Sequence, residues 1–134
     1  MRKVGSVSLK QRWFRDKLRR RAGQGFQGYP VATVAFYGPD DQRASKLVVS
    51  IIMEGTKTVD LERWFSDAGD VRSDPVITEA VWRFIRTHKV RSVVAADRII
   101  GCPHEEGIDY PAGEKCPCCP FWANRDRWTG EIMQ

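Results

Sequence analysis

Long apolar runs are missing from this 134-residue chain. The densest, Leu47 to Met53, is seven residues and contains Ser50, far short of the roughly 20 apolar residues that a membrane-spanning helix needs. No apolar h-region follows the basic N-terminus, so no secretory leader is expected and the reading is a cytoplasmic protein. Internal repeats and low-complexity tracts are absent too. Histidine is scarce, at two residues, and cysteine numbers four. Hydrophobic residues are not scarce: at 42% they supply a real core for one domain, with no need of a stapled miniprotein. A charged fraction of 29% together with five Trp argues against a disordered chain.

Acidic residues are nearly missing from the start of the chain. Residues 1–30 carry nine of the 22 Lys and Arg but one acid, Asp16, of the 17 Asp and Glu. The formal net charge of +5 therefore hides a basic arm on a slightly acidic body. The composition changes at Gly23, Gly25, Gly28 and Pro30, which read as a hinge. The expected organisation is an arm over residues 1–30 and a single domain over 31–134, with a zinc-binding segment at 101–122.

In the arm, Ser8 is a candidate cap for a helix to about Arg21, with Leu9, Trp13, Phe14 and Leu18 on one side at helical spacing. Val31–Tyr37 alternates, the turn Gly38-Pro39-Asp40-Asp41 follows, and Leu47–Met53 is dense in β-branched residues. Together they predict a β-hairpin whose second strand is buried on both faces. Val59–Phe65 suits a short helix or a strand equally. Asp74 as N-cap and Pro75 at the first helical position open a helix to about His88, with Ile77, Ala80, Val81, Phe84 and Ile85 as its buried stripe. Val90–Ala96 then predicts a strand ending at Asp97 and lying parallel beside the hairpin. The expected fold class is α+β: a hairpin, a helix and a strand in a small mixed sheet, a metal-stapled C-terminal loop segment, and an N-terminal basic helical arm.

All the cysteines fall in one stretch, as Cys102-Pro103-His104 and Cys116-Pro117-Cys118-Cys119-Pro120. Two short ligand pairs joined by a loop are the usual layout of a tetrahedral zinc site, and Cys102, His104, Cys116 and Cys119 form a Cys₃His set. Cys119 is preferred over Cys118 because C-x-x-C is the commoner spacing. A closed set of this kind is structural by default. Two disulfides are disfavoured by compartment and by the adjacency of Cys118 and Cys119, and free core thiols by the Pro- and Gly-rich surroundings. Two chemical alternatives use the same residues. His104-Glu105-Glu106 before C-x-x-C is similar to the zinc deaminase signature, with Glu106 as proton shuttle. Lys115 in place of Pro, and the short gap from His104 to Cys116, depart from it. C-x-H…C-x-x also resembles the Rieske iron–sulfur motif, with Cys119 where His belongs.

Glu105, Glu106 and Asp97 are the candidate acids or bases of a metal-dependent enzyme. The blander reading makes Asp97 a turn cap, one carboxylate an orienter of His104, and the Glu pair solvated. Tyr110, Phe121, Trp122 and Trp128 read as a small core around the staple. In the arm, Lys10, Arg12, Arg15, Lys17, Arg19, Arg20 and Arg21, with aromatics interleaved, suit phosphate contacts to nucleic acid, RNA being favoured. A membrane-surface helix, a targeting segment or a solvated helix packed on the body are the competing readings.

Gly101-Cys102-Pro103-His104-Glu105-Glu106-Gly107 and Cys116-Pro117-Cys118-Cys119-Pro120-Phe121-Trp122 resemble the tail of a group of small uncharacterised bacterial proteins. Tyr37-Gly38-Pro39-Asp40-Asp41 and Asp70-Val71-Arg72 belong to the same resemblance, which covers roughly Val31–Trp122. It implies a bacterial cytosolic protein and transfers no activity and no functional residue. The resulting expectation is a zinc-binding protein associated with nucleic acid and more a binder than an enzyme. The alternatives are a deaminase- or hydrolase-like metalloenzyme and an iron–sulfur redox protein.

Overall fold

A computed structural model describes residues 9–55 and 57–123, with the backbone alone described for 9–15 and 97. The elements in order are α1 (Leu9–Gly23), β1 (Val31–Tyr37), β2 (Lys46–Met53), β3 (Lys57–Phe65), α2 (Pro75–Thr87), β4 (Ser92–Ile99) and one 3₁₀ turn, Pro120–Trp122. The four strands form one mixed sheet in the order β3-β2-β1-β4. β1–β2 and β2–β3 are antiparallel and β1–β4 is parallel. The α+β class, the small mixed sheet and the parallel placement of the last strand are as the sequence reads. Among the described residues no helix is long and apolar enough to cross a membrane.

Period-two alternation places Ala32 and Val34 of β1 opposite Ile51 and Val49 of β2 on one face. With Leu47, Val93 and Ile99 they meet Ile77, Val81 and Ile85 of α2 in the core. Among the described residues no helix covers the second face, and Val48, Ser50 and Ile52 are only half-buried. β2 is therefore buried on one face and not on both. Val59–Phe65 is an edge strand, exposed at most positions, and Trp64 packs edge-on against Phe84 of α2 at 5.8 Å between ring centroids.

Asp74 caps α2, accepting from the backbone N–H groups of Val76 and Ile77 at 2.9 and 3.2 Å, with Pro75 in the first turn. The buried stripe is Ile77, Thr78, Val81, Trp82 and Ile85. Thr78 and Trp82 thus join it, whereas Ala80 and Phe84 lie at its margin.

β4 continues past Asp97 to Ile99. Val34 pairs with Ala95 and Phe36 with Ile99, so two extra residues bulge from β4 between these pairs. Asp97 lies in that bulge and not at the end of the strand.

α1 packs on the body. Leu18 and Ala22 reach the core, and the Arg21 guanidinium donates to the Val90 carbonyl at 2.9 Å. Ser8, Trp128 and the side chains of Leu9, Trp13 and Phe14 lie outside the described residues.

One end of the sheet is closed by the motif stretches. The Asp40 carboxylate accepts from the N–H groups of Gln42 and Arg43. Asp70 accepts from Ala44 N–H at 3.0 Å, and Val71 N–H returns to Ala44 O at 2.8 Å. Arg72 pairs with Asp70 at 2.7 Å and donates to Gln42 O. The two loops therefore lock each other. Gly38 is fixed by space, since a Cβ there would fall 1.9 Å from Arg43 O.

Candidate metal centre

The tail leaves β4 along the end of β1. Ile100 N–H donates to Phe36 O and Gly38 N–H to Gly101 O, both at 2.9 Å. These bonds fix where Cys102 begins. His104 N–H donates to Cys102 Sγ at 3.3 Å, and the backbone N–H groups of Cys118 and Cys119 donate to Cys116 Sγ. Each ligand pair is thus a tight turn that aims its side chains inward while N–H groups support the sulfurs.

His104 Nδ1 lies 3.3 Å from Cys102 Sγ, 3.4 Å from Cys116 Sγ and 3.5 Å from Cys119 Sγ. All four donors lie within 4.8 Å of one another. A single tetrahedral ion with bonds of about 2.3 Å to sulfur and about 2.0 Å to nitrogen sets N···S edges of about 3.5 Å. The observed distances match that figure, with Nδ1 as the donor nitrogen. This is a Cys₃His group that can hold a metal ion.

Cys102 and Cys119 are buried, Cys116 is half-buried and Cys118 is exposed; all four are free thiols. Burial pushes the Cys102 thiol up. Burial and the neighbouring Cys102 and Cys116 sulfurs push Cys119 up. For Cys116 burial acts upward too, but the N–H groups of Cys118 and Cys119 and the adjoining thiols bring it below the usual value. Three contacting sulfurs cannot all ionise beside one another unless a cation is among them; a metal ion supplies that charge and deprotonates its thiol ligands.

The carboxylates around the centre have structural partners. Glu105 is gripped by Arg63 of β3 at 2.6 and 2.9 Å and by Lys46 of β2 at 2.6 Å. Arg63 first, and Lys46 second, hold its carboxyl down at about 2, against the effect of burial. The Lys46 side chain is 3% exposed and also donates to Pro103 O at 2.8 Å. The Glu106 carboxylate accepts from Gly113 N–H at 2.5 Å, and that of Asp109 from Glu105 N–H at 2.7 Å. Glu105 and Glu106 thus brace the loop between the ligand pairs; the Asp97 side chain lies outside the described residues. Tyr110 is buried beside the centre. Trp122 packs on the main core and donates from Nε1 to Gly38 O at 2.8 Å.

Of the basic positions read from the sequence, Arg19 and Arg20 are exposed, and Arg21 is engaged at Val90 O. Lys17 Nζ sits 5.7 Å from the centroid of the Trp82 ring. The side chains of Lys10, Arg12 and Arg15 lie outside the described residues. Lys46 and Arg63 are functional neighbours that sequence reasoning missed. The available signal was Lys46 itself, a cation opening an otherwise apolar strand.

No protein-family model matches this chain, and comparison with curated proteins and with solved structures returns no match. Its chemistry is therefore read from the site itself.

Proposed function

We propose that Cys102, His104, Cys116 and Cys119 hold one structural Zn²⁺, and that the protein is a cytoplasmic, nucleic-acid-associated binding protein, RNA being favoured. The zinc reading is carried by the near-equal spacing of three sulfurs about His104 Nδ1. A polynuclear iron–sulfur cluster distributes its ligands over several iron atoms and calls for a wider set. Bound there, zinc supplies charge to keep three thiolates ionised and a cross-link between the ends of the 102–119 loop. Four protein donors leave no open position for water, and the Glu105 and Glu106 carboxylates are occupied, so a binding role is favoured over a deaminase- or hydrolase-like one. Thiol ligands suit a reducing compartment.

The nucleic-acid reading rests on the exposed guanidinium groups of Arg19 and Arg20 on a helix with no acid in its first turn. Metal analysis of the purified full chain tests the first part: one equivalent of zinc in a colourless protein is expected. Iron with sulfide and a brown colour would replace zinc with a cluster, and a metal-free protein would sink the reading. For the second part, Arg19→Ala/Arg20→Ala should weaken binding to single-stranded RNA and reduce its salt dependence by about 1.4 in the log–log slope. Unchanged binding, or none in the parent protein, rejects it.

A further inference from the structure

Away from the metal centre, a cavity of about 370 Å³ lies between α1 and the last turns of α2. Lys17, Arg21, Arg86 and Lys89 line it, together with Trp82 and Val90, and no carboxylate is among its lining residues. Trp82 is 2% exposed, and its indole N–H has no hydrogen-bond partner among the described residues. An indole N–H only donates, and leaving it buried without an acceptor is costly. The missing partner is therefore an acceptor, and the four cations that line the same cavity favour a negatively charged one.

Two details bear on this choice. Lys89 has φ +52° at the position just beyond the helix where Gly or Asn is favoured. A lysine there costs backbone strain that glycine would avoid. Three of the carbonyls at the end of α2, which would repel an anion, are already engaged. His88, Lys89 and Val90 N–H groups donate to Phe84, Arg86 and Ile85 O, and Arg21 covers Val90 O.

We propose that this groove is a phosphate-binding site, in which the Trp82 N–H and the Arg86 and Lys89 side chains take the oxygens of one phosphate group. The site deepens the nucleic-acid reading, on which it rests for the source of the phosphate. It does not depend on the metal.

The test follows the Trp82 indole N–H by ¹H–¹⁵N NMR in the full chain, assigned with Trp82→Phe, during titration with inorganic pyrophosphate and with a single-stranded uridine decamer. Both probes should move the Trp82 signal to saturation. Arg86→Ala and Lys89→Gly should each weaken pyrophosphate about tenfold, as the loss of a charge-assisted hydrogen bond implies. Because Lys89→Gly also relieves the backbone, its melting temperature should not fall, which separates loss of binding from loss of fold. If pyrophosphate moves Trp82 but the decamer does not bind, the phosphate site stands and the nucleic-acid reading falls. If the decamer binds while Trp82 stays still, the groove is overturned and the arm reading stands. A Trp82 signal that neither probe moves overturns the site, as does unchanged affinity in both variants.

Discussion

Cys118 and Cys119 are neighbours in the chain with opposite surroundings: one thiol faces solvent, the other is buried against His104. Cys118→Ser should keep the full metal content, and Cys119→Ser should lose it; metal analysis of the two variants decides. Lys46 is the second residue on which the centre depends, because it ties Pro103 and Glu105 to β2. Lys46→Ala should cost about 1–3 kcal/mol in urea unfolding, with Glu105 still held by Arg63. Asp70, like Glu105, contributes to the acid limb of stability. Arg72 holds its carboxyl at about 2, below the ordinary 3.8. A depressed carboxyl stabilises the fold above the unfolded value and loses that contribution as pH falls through the folded one. Asp70→Asn should therefore flatten the stability loss between about pH 4 and pH 2. The difference should be about 1 kcal/mol, since the Arg72 side chain is 37% exposed and partly screened by solvent. Chemical unfolding across that range measures it.

At the scale of elements, α2 was readable because its cap, its first-turn proline and its stripe agree. Asp74→Ala should cost about 1 kcal/mol, checked by thermal melting. β3 was not readable. Leu61, Trp64 and Phe65 fit a helical stripe, but Trp64 faces α2 while Phe65 points to the other side of the sheet, where no helix among the described residues covers it. An edge strand exposed on both sides carries no burial alternation to reveal it. The same open face explains why β2 read as doubly buried. Val48, Ser50 and Ile52 are apolar or small enough for a core, and a sequence does not say that the second layer stops at the metal loop. The hairpin turn is stricter than its Gly-Pro signal implied. Gly38→Ala should destabilise by about 1–3 kcal/mol or more, since its Cβ would meet backbone and not a side chain that can move aside.

For the whole molecule, the four donors of the Cys₃His group were legible because their spacing is local: each pair closes within a turn. Their supports were not. Lys46 and Arg63 reach Glu105 from distant strands, and Trp122 reaches Gly38 from beyond the ligands. Tertiary pairing of this kind leaves no mark in a local pattern. The basic arm shows the converse limit, because charge asymmetry marked residues 1–30 as separate while Leu18, Ala22 and Arg21 bind the C-terminal half of α1 to the body. If the staple organises the tail alone, removing the metal with a chelator should free the amides of 102–122 to exchange within minutes while β1, β2 and α2 stay protected. Hydrogen exchange followed by mass spectrometry would show it, and collapse of protection throughout would mean the metal sustains the entire fold.

The parallel pairing of β1 with β4 dictates an order of birth. During synthesis the first three strands zip together as each is made, but the outer edge of β1 waits roughly 60 residues for Ser92–Ile99 to emerge. α1, made earliest, waits just as long for Val90 and α2. The Cys₃His pairs follow later still, so any ion they take would be captured by a chain whose sheet is already closed. A ribosome halted before Ser92 would present β1 as a bare apolar edge, the condition in which strands recruit other chains. Capture of a metal by the four donors would then follow closure of the sheet, and a chain interrupted before Ser92 would meet aggregation before it could meet a metal.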